Sequence, residues 1–168
     1  MNVTSAMQSL EASGRAILAL TSNLTPEEAR QRHAPGKWSQ LEVLCHLLDE
    51  ERLDFRRRIQ LTLEDPAQDW PPNDPEGWVV ARKYNEQDLA AIRSDFEHER
   101  AASLAWLRGL GGVDWNLAHT HPIAGSLRVG DLLASWVAHD QAHLRQILNV
   151  RLALLDAAAA PYSTGYAF

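Results

Sequence analysis

The sequence contains a single cysteine, Cys45, which excludes an internal disulfide framework and any zinc site built from several thiolates. Basic residues are in the minority, at 16 Lys and Arg against 22 Asp and Glu, and the net charge of −6 argues against a nucleic-acid-binding surface. Apolar runs are far shorter than the ~18 residues that span a bilayer. Residues 1–20 lack a basic leader and contain Glu11 and Arg15, unlike a signal peptide. These absences predict a cytoplasmic protein that binds neither nucleic acid nor membrane.

The residues that are present predict one helical domain over residues 1–168. Hydrophobic residues make up 45% and charged residues 23% of the chain, as in ordinary globular proteins. Helical periodicity predicts four helices, which run from Ser5 to Leu20, Ser39 to Leu61, Asn85 to Gly109 and Gly130 past Leu154. Alternation with a period of two is nowhere long enough to predict a sheet. The predicted fold is therefore all-α, a four-helix bundle.

The connection between the second and third helices is unusually long and rich in proline and tryptophan. It contains Pro66, Pro71, Pro72 and Pro75 within a stretch of about 25 residues. A structureless loop of this length is uncommon inside a compact domain and is often a functional segment or a crossover. Such a crossover allows the third helix to run parallel to the second.

Two histidines one helical turn apart are the first candidate metal ligands. His139 and His143 lie four residues apart, and helical periodicity places them on the same stripe as Trp136 and Ile147. Two imidazoles buried together need hydrogen-bond partners or a cation, because unpaired polar groups are costly in a core. The pattern favours a metal site, and the alternative is a hydrogen-bonded pair of core histidines.

A third ligand would have to come from another helix, and His46 is the best candidate. It lies midway along the predicted second helix, as a bundle-core site requires. Its angular position, however, is shared with Glu42 and Glu50 and lies beside the strongest apolar stripe. A boundary histidine paired with one of these glutamates is an equally good interpretation of the local pattern.

Other metal motifs are absent. A di-iron centre of the ferritin type requires Glu-x-x-His twice, and no Glu stands three residues before these histidines. The zincin motif requires Glu at position 140, which is Asp. His119 and His121 lie in a loop that could approach an open site, although such runs are more often turn residues.

Three segments of the chain resemble the DinB/YfiT-like superfamily, whose members are small four-helix bundles with a three-histidine metal site. They are Pro35–Ser39 followed by Leu41–Leu47 and Glu50, the crossover through Tyr84, and His121–Leu133 leading into His139–Ile147. The resemblance implies that His46, His139 and His143 bind a divalent metal ion, with zinc or nickel favoured over manganese or iron. It also implies an up-down-down-up order of the helices.

The resemblance implies several functions. Members include transferases and isomerases that use bacillithiol or mycothiol, and others described as metal-dependent hydrolases or damage-inducible proteins. The resemblance therefore favours a metal-dependent transferase that joins a low-molecular-weight thiol of the bacillithiol type to a small electrophilic substrate. The alternatives are a hydrolase of a small amide or ester and a non-enzymatic metal-binding stress-response protein. Glu50, one turn after His46, is the candidate catalytic carboxylate.

The resemblance also suggests a homodimer, and the C-terminal tail could contribute to it. Tyr162, Tyr166 and Phe168 follow the last predicted helix. Aromatic side chains are enriched at protein interfaces, because they combine a large apolar body with a polar tip. A tail folded back on its own bundle is the alternative.

Overall fold

The computed structural model describes residues 2–167, and its long helices form the predicted four-helix bundle. The helices are α1 (Val3–Leu20), α2 (Pro26–Arg30), α3 (Gln40–Asp49), α4 (Phe55–Glu64), α5 (Pro75–Ala81), α6 (Leu89–Gly109) and α7 (Val129–Ala158). A π-helical segment, Glu50–Asp54, joins α3 to α4. The four members of the bundle are α1, the combined segment α3–α4, α6 and α7. None of the helices within residues 2–167 combines the length and the apolar character needed to cross a bilayer.

Polar contacts between the helices define their relative directions. Between α3–α4 and α6, hydrogen bonds join Arg52 to Asp95 and Arg56 to Ser103. Between α1 and α7, hydrogen bonds join Ser13 to Gln141 and Leu20 to Arg151. In both sets the residue numbers increase together, so the two helices of each set run in the same direction. This arrangement is consistent with the long crossover between α4 and α6 and with the order up, down, down, up.

The segments outside the four long helices contain more regular structure than the sequence predicts. The crossover is not a structureless loop, since α5 lies within it, with Asp74 as its N-cap and Pro75 in its first turn. A hairpin of β1 (Ala118–His121) and β2 (Gly125–Arg128) precedes α7. The prediction of no strand was wrong here because each strand has only four residues, too few for a recognisable alternation.

The helix α3 lies at the centre of the molecule and is buried along its whole length. It begins with the predicted capping box, in which Ser39 and Glu42 each bond the other's backbone N–H. Because α2, α5, α6 and α7 all pack against it, α3 has no solvent-facing side. Its polar residues therefore enter the core together with Leu41 and Leu44.

Candidate metal centre

Three imidazoles from two helices converge at the middle of the bundle. His46 belongs to α3, and His139 and His143 lie one turn apart on α7. The Nε2 atom of His139 is 3.1 Å from Nε2 of His46 and 3.1 Å from Nε2 of His143. All three side chains offer a ligand atom within 4.8 Å of the others. The structure thus brings together the three histidines that the sequence singled out.

The spacing of these nitrogens fits a shared cation better than it fits mutual hydrogen bonding. A neutral imidazole has one N–H, so Nε2 of His139 can donate to only one of its two neighbours. By contrast, ligands ~2.0–2.1 Å from one ion lie ~2.8–3.4 Å apart at octahedral or tetrahedral angles. Three nitrogen donors with no thiolate suit a divalent transition metal such as zinc or nickel. The residues present therefore fit the predicted divalent ion.

The surroundings of the imidazoles keep them uncharged. Burial, together with the neighbouring imidazoles, lowers the pKa of His46 to about 3. Burial and the nearby His143 and Arg100 lower the pKa of His139 to about 3 as well. Burial also lowers the pKa of His143. At neutral pH the three rings are therefore neutral, which is the protonation state that binds a metal ion.

The outer nitrogens of the three rings have different partners. Nδ1 of His143 lies 2.7 Å from Oε1 of Gln146, and this bond keeps the proton on Nδ1 and leaves Nε2 as a free donor atom. Nδ1 of His46 lies 3.8 Å from Oε1 of Glu50, beyond hydrogen-bond length. Nδ1 of His139 has no hydrogen-bond partner among residues 2–167. Sequence analysis missed Gln146, although its position three residues after a candidate ligand was visible.

Aromatic side chains enclose the three histidines. The ring centroid of Trp38 lies 5.1 Å from that of His46, and Trp38 is nearly parallel to His143 at 6.4 Å. Phe55 packs against His139 with a centroid distance of 5.2 Å. These rings limit access of water to the nitrogens and strengthen electrostatic interactions in the site. Trp38 is thus a wall of the site.

Glu50 is buried at the start of the π-helical segment, with only 4% of its surface exposed. Burial, followed by the neighbouring carboxylate of Asp54, raises the pKa of Glu50 to about 8. Asp54 in turn contacts Arg58 at 2.7 Å and accepts a hydrogen bond from Asn73 at 2.7 Å. π-Helical turns inside α-helices occur frequently at functional sites. Here the segment places two carboxylates beside the ligand helix.

A buried ion cluster that the sequence analysis missed lies behind the ligands. Arg100 of α6 is 5% exposed and contacts Glu51 and Asp140, each of which is 1% exposed. Ser103 donates a hydrogen bond to the second oxygen of Glu51. The sequence carried one signal for it, since Arg100 lies at helical spacing from Phe96 and Ser103 and so shares one face of the third predicted helix with them.

His119 and His121 are not part of the cluster of three histidines. His119 stacks on Trp70 at a centroid distance of 4.2 Å, and its Nδ1 lies 3.0 Å from the carbonyl oxygen of Pro66. Nδ1 of His121 accepts backbone N–H groups of Ile123 and Ala124 in the hairpin turn. Both histidines therefore stabilise the hairpin and its contact with the crossover.

Comparison with known proteins connects this geometry to a family. Residues 9–147 match the family model of the DinB superfamily. A protein of Oceanobacillus iheyensis that carries the provisional name metal-dependent hydrolase is 28% identical over 132 residues, which are 76% of this chain and 73% of that protein.

Two solved structures share the fold. YfiT from Bacillus subtilis, described as a probable metal-dependent hydrolase with an unusual four-helix bundle topology, matches with a TM-score of 0.78 at 19% identity, over 88% of this chain and 85% of YfiT. A mycothiol-dependent maleylpyruvate isomerase matches with a TM-score of 0.69 at 10% identity, over 88% of this chain and 61% of the isomerase.

Proposed function

The chain belongs to the DinB superfamily, and we propose that it is an enzyme whose three-histidine metal site activates a nucleophile for attack on a small molecule. The observation that carries this proposal is the convergence of three neutral Nε2 atoms from one buried and two half-buried histidines, with His139 at 3.1 Å, a spacing of ligands to one ion, from each of the others. His46, His139 and His143 would hold the ion. Their neutrality distinguishes the site from a structural site of four thiolates.

The neutral charge and the number of the histidine ligands determine which chemistry a metal ion held by them would support. A divalent cation held by them keeps its full charge and an open position, and it lowers the pKa of a thiol or water that enters that position. The side chains of Trp38 and Phe55 would exclude bulk water around the reacting atoms. The bond from His143 to Gln146 would hold that ring in its ligating tautomer.

We favour a low-molecular-weight thiol of the bacillithiol type as the nucleophile and an electrophilic small molecule as its substrate. Within residues 2–167 no carboxylate belongs to the cluster of ligand atoms. Glu50 lies beside the outer nitrogen of His46, and Asp140 is bound to Arg100. Thiol transfer to an electrophile does not require a carboxylate at the open position, since the metal itself favours the thiolate. The shared fold with a mycothiol-dependent isomerase also supports this choice.

Hydrolysis of a small amide or ester is the second candidate. It is supported by the provisional name of the Oceanobacillus relative and by the description of YfiT. In that reaction water would occupy the open position instead of a thiol.

The test compares the two reactions in the same preparation. Chelator-stripped protein is reloaded with zinc or nickel and incubated with bacillithiol, mycothiol, glutathione or cysteine, together with a panel of alkyl halides and epoxides. We expect conjugate formation above the uncatalysed rate with at least one thiol, and no acceleration by His139→Ala. Metal-dependent hydrolysis of nitrophenyl esters or anilides, without conjugation by any thiol, would favour the second candidate. No metal-dependent acceleration of either reaction would contradict both.

A further inference from the structure

Two buried polar atoms beside the candidate metal site face each other without a bond. Nδ1 of His46 and Oε1 of Glu50 are both inaccessible to solvent, and neither has a hydrogen-bond partner within the described residues. They lie 3.8 Å apart. An unpaired buried polar group destabilises a protein, so such groups are rare in native structures. The two atoms are close enough for a small side-chain movement to pair them.

Metal binding by His46 would fix its tautomer and create a need for an acceptor at its outer nitrogen. When Nε2 of a neutral imidazole binds a metal ion, the single ring proton must be on Nδ1. Nδ1–H then needs an acceptor, and Oε1 of Glu50 is the acceptor within reach. A carboxylate and a carboxylic acid both offer an acceptor oxygen, so the bond does not depend on the protonation of Glu50.

The helix geometry holds Glu50 in place for this role. Glu50 follows His46 by one turn, and its backbone N–H bonds to the carbonyls of His46 and Leu47. At the other end of the π-helical segment, the N–H of Phe55 bonds to the carbonyl of Glu50. Asp54 within the segment is held by Asn73 of the crossover. These bonds fix the backbone of Glu50 one helical turn from His46.

We infer that Glu50 is a positioning residue that orients His46 as a metal ligand by accepting a hydrogen bond from its Nδ1–H. This inference rests on the proposed metal site but not on which nucleophile the enzyme uses. His143 already shows the same arrangement, since its Nδ1 lies 2.7 Å from the amide oxygen of Gln146. Such acceptors fix the tautomer and raise the basicity of a metal-bound histidine. Glu50 thus acts through His46.

The test separates loss of the acceptor oxygen from loss of the carboxyl group. Glu50→Leu removes the acceptor, whereas Glu50→Gln keeps an acceptor oxygen at the same position. Glu64→Leu, at an exposed position of α4, is the matched control. The affinity of each chelator-stripped protein for zinc is measured by competition with a chromophoric chelator, and circular dichroism checks that each variant is folded.

We expect Glu50→Leu to weaken zinc binding by about 10- to 100-fold, as outer partners of metal ligands do. Glu50→Gln is expected to bind within a few-fold of the wild type, and Glu64→Leu to match it. Zinc-loaded wild type should also show a slowly exchanging Nδ1–H signal from His46 in ¹⁵N-edited NMR spectra. This signal keeps the inference testable if Glu50→Leu does not fold.

For a wild type that binds zinc, three outcomes would overturn the inference. Wild-type affinity in folded Glu50→Leu would show that His46 needs no acceptor. Equal losses in Glu50→Leu and Glu50→Gln would show that an acceptor oxygen at position 50 does not support His46. Absence of the Nδ1–H signal in the zinc-loaded wild type would place the proton elsewhere. A wild type that binds no divalent metal would overturn the proposed function as well, whereas metal binding without turnover would overturn only the function.

Discussion

Arg100 donates two hydrogen bonds to Asp140, at 2.6 and 3.1 Å, and Asp140 directly follows the candidate ligand His139 in α7. The same guanidinium group donates to the carbonyl oxygen of Leu10 at 2.6 Å and to Glu51 at 2.5 Å. Arg100 therefore connects all four long segments of the bundle at the level of the ligands. These hydrogen bonds restrict rotation of α7 about its own axis, which helps to place His139 opposite His46.

Removing the arginine should destabilise the fold strongly. In Arg100→Met the carboxyl groups of Glu51 and Asp140 remain buried without their cation, and breaking a buried ion pair in this way costs about 3–5 kcal/mol. Arg108→Met, at an exposed position of the same helix, should change the free energy of unfolding by less than ~0.5 kcal/mol. Urea denaturation of the three proteins measures both effects. Similar stabilities of Arg100→Met and Arg108→Met would mean that the buried cluster contributes little.

Glu42 should make the stability of the fold depend on pH. Burial raises the pKa of its carboxyl group, but hydrogen bonds from Arg32 and from the backbone of Ser39 outweigh burial, and the pKa falls below its ordinary value of 4.5. A carboxyl group whose pKa is lower in the folded state stabilises the protein above about pH 4.5, and this contribution is lost as the pH falls through the folded value.

Comparison with Glu42→Gln isolates this contribution. At pH 7 the variant should lose about 1–3 kcal/mol, because the ion pair with Arg32 and the capping-box bond to Ser39 are weakened. The difference between wild type and variant should shrink as the pH is lowered from 5 to 3.5. A difference that is constant over this range would rule out the carboxylate of Glu42 as its cause.

The buried histidines should make the metal-free protein sensitive to mild acid. His46 and His139 have pKa values of about 3 in the folded chain, against 6.5 for an ordinary histidine. The unfolded chain therefore takes up protons first, and stability is lost as the pH falls from 6.5 toward 3. Between pH 7.5 and pH 5 the loss should be on the order of 2 kcal/mol for each of the two histidines.

Urea denaturation of the metal-free protein at the two pH values checks this expectation. His139→Gln should lose less stability than the wild type between pH 7.5 and pH 5, by roughly the contribution of one histidine. His98→Gln, whose side chain is exposed, should behave like the wild type. Identical pH dependence in His139→Gln and the wild type would contradict burial of a neutral imidazole at position 139.

The assembly state remains a prediction, and the exposed aromatic tail makes it testable. Tyr162 is 82% exposed and Tyr166 is fully exposed in the single chain, whereas Phe168 lies outside the described residues. The tail is therefore not folded onto its own bundle at these two tyrosines. We expect a homodimer in light scattering and a shift toward the monomer when both tyrosines are changed to serine. A wild type with strictly monomeric mass at high concentration would contradict it.

The ligand helix α7 could be predicted from the sequence, whereas the inward orientation of His46 could not. His139 and His143 share a stripe with apolar residues, and that periodicity alone directs them into the core. The side of α3 that carries His46 also carries Glu42 and Glu50, which is the pattern of a solvent-facing flank. These glutamates are buried because α3 is surrounded on all sides. Hydrophobic periodicity identifies the buried face of a helix that also has an exposed face. It cannot identify a helix, such as α3, that is buried on every side.

The buried charges were missed for a related reason. Arg100 lies on the apolar stripe of α6, where a charged residue is normally taken as an interruption, and its two carboxylate partners come from other helices. Because these ion pairs join residues 40 or more positions apart in the sequence, no local sequence pattern indicates them. The short helix α5 was missed because the prolines around it predict a loop, although Asp74 and Pro75 are typical of a helix start.

The central claim is that His46, His139 and His143 hold one divalent metal ion, and metal titration of chelator-stripped wild type and His139→Ala tests it most directly. Circular dichroism follows helicity during the titration, and elemental analysis counts the bound metal. We expect one tightly bound ion per wild-type chain and loss of tight binding in His139→Ala, with helicity retained because the apolar core of the bundle does not include the metal. Equal metal binding by the two folded proteins would contradict it.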